Sequence, residues 1–303
     1  MDVRELLARC ELQPDKGLGQ NFLVDQTILE RIVEAAALTD EDIVLEVGAG
    51  PGNLTRRLAR QAGHVIAVEM DGRFMPVLQS VLAGVTNVTL VHGDILALDP
   101  AAMVRHSQTA GGQTHPHYKV VANLPYYITS AVLRHLLEAS LRPASIVVTV
   151  QREVAERIVA GPGEMSLLAV SVQLYGQPRL LFRIRPGSFY PPPEVESAVV
   201  RIVPHTVPPV QIANTEAFFR VVRAGFSQRR KQLRNALAAG LGLPSGETAL
   251  RLQEAGIDPR RRAQSLTLQE WAAVVQALGG ESATPRSALA PGSGGEGAAT
   301  LDE

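Results

Sequence analysis

Five short apolar runs separated by helical stretches fill the first half of the chain, and no other feature limits its fold as strongly. The runs are 43–47, 64–68, 88–91, 118–122 and 145–150, with helical patterns at 54–62, 72–82 and 129–139 between them. Strand–helix alternation of this kind implies an α/β fold, a parallel sheet covered by helices on both faces. Ligands in such sheets bind beyond the carboxyl ends of the strands. The residues that directly follow each run are therefore the first place to look for a site.

The pattern changes after residue 151. Helices are expected at 152–160 and 166–175. Residues 179–184 and 198–203 read as an antiparallel strand pair at the sheet edge, around the turn-rich 186–193. Residues 204–209 look like a linker, and 215–279 show only helical periodicity. The expected organisation is one α/β domain over 1–207, a small all-α domain over 208–280 and a tail over 281–303. The tail is rich in Gly, Ser, Ala and Pro with no apolar period, which predicts disorder. Residues 104–117 read as a surface loop.

Cys10 is the only cysteine, which leaves no disulfide framework and no cysteine metal site. His106, His115 and His117 lie close together but lack carboxylate or thiolate partners, so no metal is expected. No segment reaches the roughly 18 consecutive apolar residues of a membrane span. The start lacks the basic and apolar regions of a signal peptide. A cytoplasmic monomer without membrane contact is expected. The formal net charge of −1 argues against a uniformly basic nucleic-acid binder. Its distribution is uneven: residues 220–262 carry ten Arg and Lys against three acids. Such a run can be a solvated helical face or a local field that steers RNA, and charge alone leaves both open.

Three strand ends together suggest a cofactor. The first strand runs into Glu46-Val47-Gly48-Ala49-Gly50-Pro51-Gly52. This is G-x-G-x-G rather than the G-x-G-x-x-G of a dinucleotide site, and it lacks the Gly-Lys-Ser/Thr ending of a phosphate loop. Glycines allow close backbone approach to a ligand, and the pattern suits S-adenosylmethionine (SAM). Glu69, ending the second strand, can accept both ribose hydroxyls, and Asp94, after the third, can accept from the cofactor's adenine amine. Either carboxylate alone could be a cap or a surface residue; the series of three carries the inference.

The fourth strand ends in Asn123-Leu124-Pro125-Tyr126. Asn123 offers an amide acceptor. Leu124 offers a carbonyl held extended by Pro125, and Tyr126 offers a flat aromatic face. These are the parts needed to hold an exocyclic nucleobase amine. Phe189 and Tyr190 could close the opposite face, or Phe189 could simply be core. The tetrapeptide by itself fits DNA or RNA, and adenine or cytosine.

With these residues in place the chain resembles the RNA adenine N6-dimethyltransferase family, and within it the small-subunit ribosomal RNA branch. The resemblance covers 10–280. It rests on Gly19-Gln20-Asn21-Phe22-Leu23, Glu46 to Gly52, Asn123 to Tyr126, 150–155, 189–197 and the basic segment 226–237. It implies a Rossmann-like class I SAM-dependent methyltransferase domain followed by a small all-α domain. It also implies that Gln20, Asn21, Leu23, Glu46, Gly48, Gly50, Glu69, Asp94 and Asn123 serve the cofactor. Asn123, Leu124, Pro125, Tyr126 and Phe189 would form the target-adenine site, and Arg223, Arg229, Arg230, Lys231 and Arg234 would meet RNA. The implied reaction is N6,N6-dimethylation of two adjacent adenines in the 3′-terminal hairpin of 16S rRNA, in the assembling small subunit. The alternatives are a resistance-type methyltransferase acting on one adenine of 23S rRNA, which the 226–237 segment argues against, and an assembly factor that acts mainly by binding. The 104–117 loop and the acidic tail are departures from the family pattern.

Overall fold

The structure is a computed structural model, and it describes residues 3–15, 17–108 and 117–279. The tail expected at 281–303 and most of the loop expected at 104–117 lie outside these residues. Residues 104–108 of that stretch close a helix, Pro100–Gln108.

Nine strands form. A two-residue β1 (Phe22–Leu23) is followed by β2 (Ile43–Val47), β3 (His64–Glu69), β4 (Val88–His92), β5 (Tyr118–Asn123), β6 (Ser145–Gln151), β7 (Gly176–Ile184), a short β8 (Phe189–Tyr190) and β9 (Ser197–Pro204). Seven make one sheet in the order β4-β3-β2-β5-β6-β9-β7. β2 to β6 are parallel, and β9 runs antiparallel to both β6 and β7. The sequence explains the placement. β2 is buried at every position, as a central strand covered on both faces must be. β4, at the edge, has no fully buried position. Pro178 lies in β7, the other edge strand, where the missing N–H costs no ladder bond.

The strand order reverses between β2 and β5. From β2 the chain builds outward through β3 and β4, then returns to the far side as β5 and β6. This switch point opens a crevice at the strand ends, and it lies between the glycine loop after β2 and the tetrapeptide after β5.

Two apolar clusters flank the sheet. One joins Leu45, Val120, Leu136 and Val148, and the other joins Val44, Val65, Phe74, Val121 and Phe189. Two N-terminal helices, Val3–Arg9 and Gln26–Ala36, were not expected from the sequence. The second buries Leu29, Ile32, Val33 and Ala36 and is capped by the Asp25 side chain on the N–H groups of Thr27 and Ile28. The helix expected at 54–62 is shorter, Thr55–Leu58.

Residues beyond 214 form helices Thr215–Phe226, Leu233–Leu241, Ser245–Glu254 and Leu268–Leu278. Their core centres on Trp271, Phe218 and Leu237. It also includes Met165, Ala169, Val170 and Leu174, so it packs directly on the helix Leu167–Tyr175. The first two C-terminal helices touch at a glycine. A Cβ at Gly240 would stand 2.8 Å from Ala224 Cα and 2.6 Å from its Cβ. Gly240→Ala therefore forces two backbones apart, and overpacking of about 1–3 kcal/mol outweighs the roughly 1 kcal/mol that Ala gains in helix propensity. Trp271 is the only tryptophan, so urea unfolding followed by its fluorescence reads this region. The expected result is a lower midpoint; an unchanged or higher midpoint would mean the helices part at no cost.

Candidate functional site

The crevice at the switch point is an open cleft shared by four strand ends and the N-terminal segment. Gly48, Gly50, Glu69 and Asp94 line it from the first three strand ends, and Asn123, Leu124, Pro125 and Tyr126 from the fourth. Gln20 and Asn21 reach it from the N-terminal segment. Residues far apart in the chain are thus brought to one surface.

The glycine loop turns tightly against this cleft. Gly50 has φ +52, and a Cβ there would meet the Phe22 ring at 2.9 Å. A side chain is excluded both by conformation and by contact. The Gly50 N–H donates to Glu69 Oε2 at 2.7 Å, and the Asp71 N–H donates to Glu69 Oε1 at 2.8 Å. Each carboxylate oxygen has a second lone pair, so Glu69 is fixed in place and still able to accept from two hydroxyls. Burial pushes its carboxyl up, while those backbone N–H groups pull it down. Asp94 is exposed, and its Oδ1 accepts from the Leu96 N–H at 2.9 Å. The cap reading and the ligand reading are therefore compatible, because the second oxygen remains available.

Asn123 is oriented by the chain. Its Nδ2 donates to the Asn21 carbonyl at 2.9 Å. Only the nitrogen of the amide can make that bond, so the position of Oδ1 follows. The Leu124 N–H donates to the Thr149 carbonyl at 3.2 Å, which ties the peptide to β6. Pro125 has φ −56 and ψ 131, and the Leu124 carbonyl accepts from no described residue. Two acceptors therefore stand side by side at the cleft. The Tyr126 hydroxyl is bonded to Ser197 Oγ at 2.6 Å, which fixes its ring, and burial raises its pKa.

Three expected site residues do not line this cleft. Phe189 is 1% exposed and pairs with Leu23 in the β1–β8 ladder. Leu23 is buried too, and its carbonyl accepts from Asn53 Nδ2. Both hold the N-terminal segment from beneath. Glu46 is buried behind the glycine loop, and its Oε2 has no hydrogen-bond partner. Burial pushes this carboxyl up to about 8, and the Glu69 charge adds to the shift.

The cleft also contains residues that were not expected. Asp71 is 8% exposed, accepts from Gln20 Nε2 and lies beside Arg73. The Arg73 guanidinium holds its carboxyl down at about 2. Tyr127 presents an exposed ring at the mouth. Spacing could not reveal Asp71, whose partner is 51 residues away; Tyr127 was readable as a second aromatic in the motif.

The basic segment divides into two sets. Arg251, Arg260 and Arg261 pair with Glu247, Asp258 and Glu270. Arg223, Arg229, Arg230 and Lys231 are exposed and have no carboxylate partner among the described residues. Arg234 is half-buried, with Nε unpartnered. Arg223 and Arg229 line a groove with Arg157 and Phe226. Among the described residues no group of three or more His, Cys, Asp and Glu gathers as a metal-ligand set, and no helix is long and apolar enough to cross a membrane.

Comparison with known proteins gives the family. Residues 12–279 match the family model described as ribosomal RNA adenine dimethylase. The chain is 49% identical over 270 residues to the ribosomal RNA small subunit methyltransferase A of Dehalococcoides mccartyi, covering 89% of this chain and 90% of that protein. It is 46% identical over 281 residues to the protein of the same name from Pelotomaculum thermopropionicum, covering 91% and 95%. Among solved structures it is similar to the 23S rRNA methyltransferase ErmE, with TM-score 0.65 and 27% identity, over 85% of this chain and 99% of that one.

Proposed function

The chain belongs to the ribosomal RNA adenine dimethylase family, and from that premise we propose that it N6,N6-dimethylates two adjacent adenines in the 3′-terminal hairpin of 16S rRNA within the assembling small subunit. It is a SAM-dependent ribosomal RNA adenine dimethyltransferase with a Rossmann-like catalytic fold. The observation that carries the reading is the oriented Asn123 amide beside the free Leu124 carbonyl, at the mouth of a cleft built by Gly48, Gly50, Glu69 and Asp94. Choice of the small subunit is supported by relatives of that name that share nearly half their residues with this chain, against about a quarter for the 23S rRNA enzyme.

The residues fit the cofactor. Glu69 would accept from the ribose hydroxyls, Asp94 from the adenine amine, and the loop at Gly48 and Gly50 would admit the amino-acid part. Gln20 and Asn21 would cover it, while Leu23 and Glu46 would support the cover and the loop from behind. When bound, SAM supplies an electrophilic sulfonium methyl. The target amine is a poor nucleophile because its lone pair is delocalised into the ring. Asn123 Oδ1 and the Leu124 carbonyl would accept hydrogen bonds from its two N–H groups and localise that pair towards the methyl, and the amine would release one proton to solvent as the new N–C bond forms. Holding the two groups in line is worth about 7–11 kcal/mol. Tyr126, fixed by Ser197, stacks on the base, which offsets about 1–3 kcal/mol of unstacking. Phe189 buttresses this pocket from below.

The catalytic domain spans 1–207 in this reading, and the helices of 208–280 dock the subunit. The enzyme acts as a cytoplasmic monomer without a metal. Arg223, Arg229, Arg230, Lys231 and Arg234 meet phosphates. Arg229→Ala with Arg230→Ala is expected to weaken subunit binding and to flatten its log–log salt dependence by about two, close to one for each lost phosphate contact. An unchanged slope would return the run to a solvated face. Mass spectrometry of both rRNAs from a deletion strain tests the substrate: dimethyladenosine should vanish from the small-subunit RNA alone, and loss of a large-subunit mark alone would contradict it.

A further inference from the structure

We infer that Asp71 is a positioning residue that latches the N-terminal segment 17–23 over the cofactor cleft and, through that segment, sets the direction of the Asn123 amide. Asp71 stands two residues beyond Glu69, at the end of β3, and is buried. Its Oδ2 accepts from Gln20 Nε2 at 2.8 Å. Gln20 is held from its other side as well: its Oε1 accepts from the Asp15 N–H at 2.8 Å, and its own N–H donates to the Asp15 carbonyl at 3.1 Å. The next residue, Asn21, supplies the carbonyl that receives Asn123 Nδ2. Beyond it, β1 pairs with β8.

A continuous hydrogen-bonded path therefore runs from the Gly50 N–H through Glu69, Asp71 and Gln20, then along the backbone to Asn21 and on to Asn123. Asp71 and Glu69 share the cofactor edge of the cleft, and Asn123 occupies the amine edge. Segment 17–23 spans the two. Without Asp71 the segment loses its side-chain anchor at the cofactor edge, while its bonds to Asn123, Asn53 and Asp15 and the two-residue ladder remain. Arg73 grips Asp71 from the solvent side, through an exposed guanidinium 2.6 Å from the same Oδ2. It steadies the acceptor, and its side-chain hydrogen bonds among the described residues go to Asp71 rather than to the segment.

The inference rests on Asn123 as the amine-holding residue, and the latch itself is judged from SAM affinity, which needs no RNA. SAM affinity is measured by equilibrium dialysis with labelled SAM on the full chain, and kcat is measured on unmethylated small subunits alongside. Asp71→Ala and Gln20→Ala should each weaken SAM binding by about tenfold, the order expected for one hydrogen bond to a charged group. The double variant should be no weaker than either single, because both remove the same contact. Arg73→Ala should stay within about twofold. Gln20→Glu should be worse than Gln20→Ala, since it sets two carboxylates against each other. Adding Asp71→Asn to Gln20→Glu should restore affinity to within about threefold, because the introduced amide then donates to the introduced carboxylate. A double alanine variant with multiplied losses, or a reversed pair without rescue, would overturn the latch. The reversed pair keeps the test decisive should Asp71→Ala fail to fold. If Asn123→Ala leaves transfer intact, the amine-holding reading fails, while the affinity cycle still judges the latch.

Discussion

Asn123→Ala should lower methyl transfer at least a hundredfold while leaving small-subunit binding within a few-fold. The magnitude is that of removing one preorganised polar group from a reacting centre. The separation of effects follows from placement. Asn123 lies at the cleft, its side chain bonded only to the Asn21 carbonyl among the described residues, whereas the cations Arg223, Arg229 and Arg230 lie at the end of the helix Thr215–Phe226 and in the turn after it. Single-turnover transfer and subunit binding, measured on the same preparation, check both halves. Equal loss of both would make Asn123 a structural residue. Retained binding with lost transfer would also give the means to ask how much of the protein's role in assembly is binding alone.

Glu46→Gln should remove a large pH dependence of stability. Glu46 is fully buried, and its carboxyl is pushed up from 4.5 to about 8, first by burial and then by the Glu69 charge, against the Thr55 groups. In the unfolded chain it ionises near its ordinary value. Between 4.5 and about 8 the folded protein therefore holds a proton that the unfolded chain has lost. Stability falls across that window as pH rises, at about 1.4 kcal/mol per pH unit, and levels off above it. The accumulated loss is on the order of 4 kcal/mol by pH 8. Glutamine is neutral and of nearly the same shape, so the variant should lack this slope and be the more stable form at pH 8. Urea unfolding of SAM-free protein from pH 5 to 9 decides: parallel curves for the two proteins would mean that Glu46 titrates normally.

Much of this could be read in the sequence, for identifiable reasons. The parallel sheet was legible because each of its strands is a short, mostly apolar run set between helical patterns, and a central strand buried on both faces needs no tertiary knowledge to recognise. The cleft was legible because strand ends in such sheets point to one edge, so Gly48, Glu69, Asp94 and Asn123 had to converge. The helix Gln26–Ala36 was missed, although Asp25 is a good cap and Leu29, Ile32 and Val33 mark its buried face. The burial of Phe189 depends on a two-residue ladder with Leu23, 166 positions earlier, and no local pattern encodes it. Asp71 is hidden in the same way, since its significance comes from Gln20 across 51 residues. Charge was only half legible. The ten cations of 220–262 looked alike until the structure paired Arg251, Arg260 and Arg261 with acids. What remained was a smaller unpaired set around Arg223 and Arg229.

The central claim is that Asn123 and Leu124 present a ribosomal adenine amine to the methyl of SAM. Methyl incorporation from labelled SAM into unmethylated small subunits, followed by mapping of the modified bases, tests it in one measurement. The expected product is N6,N6-dimethyladenosine at two adjacent positions in the 3′-terminal hairpin, made by the unaltered protein and lost with Asn123→Ala. Label at any other atom or site, or label that survives Asn123→Ala, would contradict it.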